Sequence, residues 1–78
     1  SARELAVLEV LATRAGRVVS KDAVMRSLYE WDEDVGTNAI EIYVHRIRKK
    51  LQDSGVTIRT IRGLGYLMEP ATSDINTA

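Results

Sequence analysis

The stretch NAIEIYVHRIRKKLQ, Asn38–Gln52, decides the fold of this chain. Its apolar residues Ile40, Val44, Ile47 and Leu51 recur at the spacing of an amphipathic helix with one buried stripe. Asn38 followed three positions on by Glu41 has capping-box spacing, so the helix is expected to begin at Thr37 or Asn38. Asp53-Ser54-Gly55 closes it. At about 100° per residue, Asn38, Ile42, His45 and Lys49 fall within about 40° of the centre of the face opposite Ile40, with Arg46 about 60° away. Glu41 and Arg48 flank that face on one side, Tyr43 and Lys50 on the other.

Working outward, Val56–Ile61 carries β-branched residues at alternate positions and reads as a strand. Arg62-Gly63-Leu64-Gly65 lacks the third glycine and following helix of a dinucleotide loop, so a tight β-turn with Arg62 at its tip is the better reading. Tyr66–Glu69 is the return strand, ended by Pro70, and Tyr66 is expected to pack against the third helix. Upstream, Leu5, Leu8, Leu11, Ala12 and Ala15 have helical spacing, Ser1 and Glu4 have capping-box spacing, and Gly16 suits a left-handed stop. Arg17-Val18-Val19 is a short extended link. Ser20 is then an N-cap for a second helix that carries Asp22, Val24, Met25 and Leu28 and ends near Tyr29. Residues 30–37 form an acidic loop. Three helices followed by a β-hairpin make an α+β, mainly α, winged helix-turn-helix over residues 1–69, with 70–78 a disordered tail.

With 78 residues the chain is one small domain, and without Cys it has no disulfide or thiolate metal site. His45 is the one imidazole and has no second ligand near it in sequence, so no metal is expected. Nor is a cofactor, and with no nucleophile–base pair or phosphate loop neither is an enzyme. The absence of a long apolar run or a signal-like start predicts a soluble, intracellular chain with no membrane contact.

Eleven bases balance eleven acids, but they are segregated. Residues 30–34 hold four acids and no base, whereas 35–62 hold six bases against two acids. Such polarisation steers one surface toward a polyanion despite zero net charge. The chemistry of the exposed helix face suits base edges: Asn pairs with adenine, Arg with guanine, and Ile42 can pack on a thymine methyl. A face built only for solubility would mix in more acids at i,i+4, and Glu41 alone offers one here. An arginine on a rigid wing is placed to enter a narrow minor groove. The competing readings are a solvated basic face, a solvated turn arginine, and a winged helix that meets an acidic protein partner without DNA sequence specificity.

The segment from Asn38 to Leu51, with Ile58-Arg-Thr-Ile-Arg-Gly-Leu-Gly-Tyr66 after it and Gly16-Arg-Val-Val-Ser-Lys21 before it, resembles the C-terminal effector domain of OmpR/PhoB-type response regulators over residues 1–69. The resemblance implies a sequence-specific DNA-binding domain of a two-component transcription regulator, with the third helix in the major groove and the wing in the adjacent minor groove. Asn38 and Arg46 are then groove-reading positions and Ile42 a methyl contact. Tyr43, His45, Arg48 and Lys50 become backbone or mixed contacts, beside Lys49 on the exposed face, and Thr60 and Arg62 wing contacts. The acidic loop, with Glu30, Asp32, Glu33 and Asp34, is the segment that in several members touches RNA polymerase, while Trp31 within it is expected to plug the core. Further implied partners are promoter direct repeats of double-stranded DNA bound as a tandem dimer, a receiver domain, and a sensor histidine kinase in a bacterial cytoplasmic phosphorelay. The isolated domain is expected to be monomeric. This sequence departs from the family in having Asn38 where Arg is common and Tyr43 where His is frequent. It also starts directly at the first helix, where the family opens with a small antiparallel sheet, as expected of a trimmed fragment.

Overall fold

The computed structural model describes residues 2–30 and 38–71. The order of elements is α1 (Ala2–Thr13), β1 (Val18–Ser20), α2 (Lys21–Tyr29), α3 (Ala39–Lys50), β2 (Val56–Ile61) and β3 (Gly65–Pro70). This is the expected winged helix, with one strand more than the hairpin supplies. The segment read as an extended link is β1, which pairs antiparallel with β3 so that the sheet runs β1-β3-β2. Ser20 opposes Gly65 and Val18 opposes Leu67. The strand forms because Val19 alone of the three turns inward, at 1% exposure, while the backbone completes the free side of β3. No helix among the described residues is long and apolar enough to cross a membrane.

Local chemistry sets the boundaries. Gly16 has φ +86 and donates its N–H to the Met68 carbonyl at 2.9 Å, so the stop of α1 is also its tie to the sheet. The Ser20 hydroxyl accepts from the Ala23 N–H at 3.1 Å, capping α2 as expected. After α3, Asp53 takes φ 65 and the Ser54 hydroxyl donates to the Leu51 carbonyl at 2.6 Å, which turns the chain into β2. Strand β3 runs one residue past the expected end: Pro70 pairs with Val56, and the Ala71 N–H donates to the Gly55 carbonyl. Pro70 is tolerated because it is the last residue of the ladder. The expected tail beyond 71, the capping residue Ser1 and the Trp31 plug lie outside the described residues.

One core holds these elements together: Val7 and Leu11 of α1, Val19 of β1, Val24 and Leu28 of α2, Ile40, Val44 and Ile47 of α3, and Ile58, Tyr66 and Met68 of the wing. Each fully buried aliphatic contributes about 1.5–3 kcal/mol. The α3 stripe is as the spacing requires, with Leu51 half-buried at its end. The α1 stripe is not. Its buried residues are Glu4, Ala6, Val7 and Leu11, whereas Leu5 is 59% exposed and Ala12 and Ala15 face solvent. Residues 5–8 and 10–12 are apolar without a break, so periodicity alone does not single out a face; packing against α2 and α3 does.

Candidate nucleic-acid interface

Helix α3 presents three longitudinal strips besides its buried one. The outward strip carries Asn38, Ile42, His45 and Lys49, all exposed, with Arg46 at its margin. Asn38, Glu41, Ile42, His45 and Arg46 line one shallow concavity. Ile42 is 47% exposed, a large aliphatic left in water among polar neighbours. Asn38 does not cap the helix. Its backbone is already right-handed helical (φ −85, ψ −6) and its side chain makes no capping hydrogen bond, because an N-cap side chain reaches its N–H from an extended backbone. Only its carbonyl takes part, accepting from the Ile42 N–H at 3.2 Å.

The second strip faces the wing. Arg48 Nε donates to the Ile58 carbonyl at 2.8 Å, and its terminal nitrogen donates to Thr60 Oγ1 at 2.8 Å. Two residues assigned to DNA contact from the sequence, Arg48 and Thr60, are thus bonded to each other. Arg48 is half-buried and joins α3 to β2, the guanidinium fork allowing two bonds from one group. Tyr66 is buried at 3% exposure in the core that also holds Ile40, Val44 and Ile47 of α3. Burial pushes its phenol above the ordinary tyrosine range; Glu41 adds to the shift and Arg48 opposes it.

The third strip faces α1 and holds Tyr43, Arg46 and Lys50. Lys50 Nζ donates to Glu4 Oε2 at 2.6 Å, and an Arg46 terminal nitrogen lies 3.7 Å from Glu4 Oε1. The Arg46 guanidinium also sits 6.0 Å from the centre of the Tyr43 ring, within cation–π reach. Tyr43 is half-buried, and its hydroxyl accepts from Arg3 at 3.4 Å. Lys50 and Tyr43, expected to meet the DNA backbone, are therefore engaged with α1. The Lys50 hydrogen bond holds the Glu4 carboxyl below its ordinary range against the opposing effect of desolvation, and the Lys50 and Arg46 charges reinforce it.

Sequence reasoning missed Glu4, because the acid lies forty-six positions from Lys50. A signal was available: Glu4, Val7 and Leu11 share one stripe, and an acid on a buried stripe requires a cation partner. On the wing, Arg62 is exposed in the turn as expected. Leu64 beside it is 63% exposed and was not singled out. Arg59, behind the tip, is paired with Glu69 across the hairpin at 2.9 Å. Glu30 is exposed at the end of α2, whereas Asp32, Glu33 and Asp34 lie outside the described residues.

Comparison with known proteins agrees with this architecture. The family model described as "Transcriptional regulatory protein, C terminal" matches residues 1–68. The chain is 46% identical over 67 residues to the transcriptional regulatory protein TctD of Salmonella typhimurium, covering 86% of this chain and 30% of that protein. It is 44% identical over 66 residues to the transcriptional regulatory protein QseB of Escherichia coli O157:H7, covering 85% and 29%. With the response regulator protein PmrA of Pseudomonas aeruginosa it shares 47% identity over 64 residues, covering 82% and 28%. The chain thus spans about 30% of the length of these relatives. A winged helix with a solvent-facing basic third helix, matched over nearly all of its described length, belongs to the family of transcriptional regulatory protein C-terminal domains, the effector domains of OmpR/PhoB-type response regulators.

Proposed function

We propose that this domain reads promoter DNA sequence-specifically, with α3 in the major groove and the wing tip in the adjacent minor groove. The observation that carries the reading is the division of labour on α3. Asn38, Ile42 and His45 gather on one open surface with Arg46 at its margin, between that surface and Glu4, while Tyr43, Arg48 and Lys50 are tied to α1 and to the wing. The gathered groups contact base edges: the Asn38 amide on adenine, Arg46 on guanine, Ile42 on a thymine methyl, and His45 on an acceptor. Lys49 contacts phosphate and sets the register. Arg62 enters the minor groove, and Arg48 with Thr60 fixes the angle between helix and wing. No reaction is catalysed.

In the longer protein that the relatives' lengths imply, the domain works in the bacterial cytoplasm behind a receiver domain phosphorylated by a sensor histidine kinase. Phosphorylation there promotes tandem dimers on direct repeats, and the acidic segment 30–36 meets RNA polymerase. A single domain binds weakly, since one small module makes few contacts.

The test is a fluorescence-anisotropy titration against a duplex selected from a random pool and against random duplexes, at several salt concentrations. DNA reading requires a log–log salt slope of several units. Arg46→Ala then costs about 1–3 kcal/mol on the selected duplex and much less on random ones. Weak, salt-insensitive binding that is equal for all duplexes would sink the proposal in favour of a protein-interaction module.

A further inference from the structure

We infer that Glu4 of α1 is a specificity-determining residue for α3, holding Lys50 and Arg46 against the body of the domain so that neither acts as a free phosphate-seeking charge. Among the described residues Glu4 is the buried charged residue, its side chain 10% exposed. Lys50 and Arg46 are 66% and 55% exposed. The acid is therefore the fixed member, and the cations are the ends that can swing outward. Oε2 lies 2.6 Å from Lys50 Nζ, and Oε1 lies 3.7 Å from an Arg46 terminal nitrogen. Arg46 is further held over the Tyr43 ring, and the Tyr43 hydroxyl accepts from Arg3, the neighbour of Glu4. The first turn of α1 thus steadies one whole strip of the recognition helix.

DNA phosphates compete with Glu4 for the same two cations. Affinity for any duplex rises with the number of cations that displace counterions, whatever the base sequence. Base-edge contacts instead depend on where a guanidinium points. An acid that withholds Lys50 and orients Arg46 lowers random binding while preserving the selective contact. Specificity gains from this negative contribution as it would from an added attraction. In this picture Glu4 touches no base and is a positioning residue for Arg46.

The inference rests on the DNA-reading proposal, and the experiment separates the two. The salt dependence of binding is measured for the wild type, Glu4→Gln and Glu4→Gln/Lys50→Met on random and selected duplexes. Far-UV circular dichroism and a thermal melt confirm the fold of each variant. Glu4→Gln should steepen the random-duplex slope by about 0.9 per cation released, so that its affinity falls about 3- to 12-fold more than that of the wild type between 50 and 200 mM salt. Its ratio of selected to random affinity should fall, and Lys50→Met should remove about half of the added slope. A wild type without salt-dependent binding refutes the DNA reading itself. A wild type that binds, with Glu4→Gln at the same slope and ratio, overturns the role of Glu4 alone. Should Glu4→Gln fail to fold, carbon-detected NMR of the wild-type Glu4 carboxyl during titration with random duplex decides the matter. A resonance that stays in place supports retention of the cations, and one that moves to the position of a free carboxylate refutes it.

Discussion

Replacing Gly65 by alanine should detach β1 from the sheet. Gly65 opens β3 at φ +152, paired with Ser20 on one side and Ile61 on the other. A Cβ there collides with the Val19 carbonyl oxygen and comes within 2.8 Å of the Ser20 Cα. Both obstacles are backbone, so no rotamer change relieves them, and β1 must move away. Overpacking a filled site costs about 1–3 kcal/mol. The left-handed backbone adds about 1–2 kcal/mol for an L side chain. A central value of about 3 kcal/mol is a large share of the roughly 4–12 kcal/mol expected for a chain of this length. It should lower the melting midpoint by about 12–24 °C. Gly63→Ala is the matched control. It also has positive φ, at +79, but a Cβ there meets nothing within 4 Å, so only the backbone contribution of about 1–2 kcal/mol remains. Thermal and urea melts of both variants provide the assay, with amide exchange at Val19 as a local readout. If Gly65→Ala were no less stable than Gly63→Ala, the close approach of β1 and β3 would be refuted.

Two further outcomes follow from the side-chain ties. Arg48→Met removes two charge-assisted hydrogen bonds to the wing and should cost about 1.5–3 kcal/mol, with faster amide exchange along β2 and incomplete rescue by Arg48→Lys, which lacks the fork. The Glu4 carboxyl is held below its ordinary value of 4.5, chiefly by the hydrogen bond from Lys50, so protonation is harder in the folded chain than in the unfolded one. Its contribution to stability is complete above that value and is lost as pH falls through the folded one. The melting midpoint of the wild type should therefore approach that of Glu4→Gln as pH drops below about 4.5, and a constant gap between them would contradict the pairing.

The sequence was most legible where one face is apolar and the other is not. In α3 the stripe Ile40, Val44, Ile47 stands between charged neighbours, and the flanks assigned from the wheel are the flanks observed: Arg48 turns to the wing, Tyr43 and Lys50 to α1. What the wheel did not reveal is what each flank meets, because Ile58, Thr60 and Glu4 come close only through tertiary packing. The capping residue Ser20 was legible because a hydroxyl before a polar-then-apolar segment has few other uses, whereas Asn38 has the same spacing and a helical backbone. β1 was read as a link because three residues carry too little pattern to declare a strand; its partner β3 decides it. The face of α1 was misplaced because Leu5 to Leu8 are apolar on every side.

The order β1-β3-β2 leaves β2 as the outer strand of the wing. An outer strand offers unpaired carbonyl and N–H groups to any extended chain that drifts past, and proteins blunt such edges to avoid unwanted strand addition. Here Arg48 reaches across from α3 and occupies the Ile58 carbonyl, and Arg59 adds charge next to it. The cation most easily read as a phosphate ligand thereby guards a hydrogen-bonding edge. Its loss would leave the wing open to self-association as well as loose.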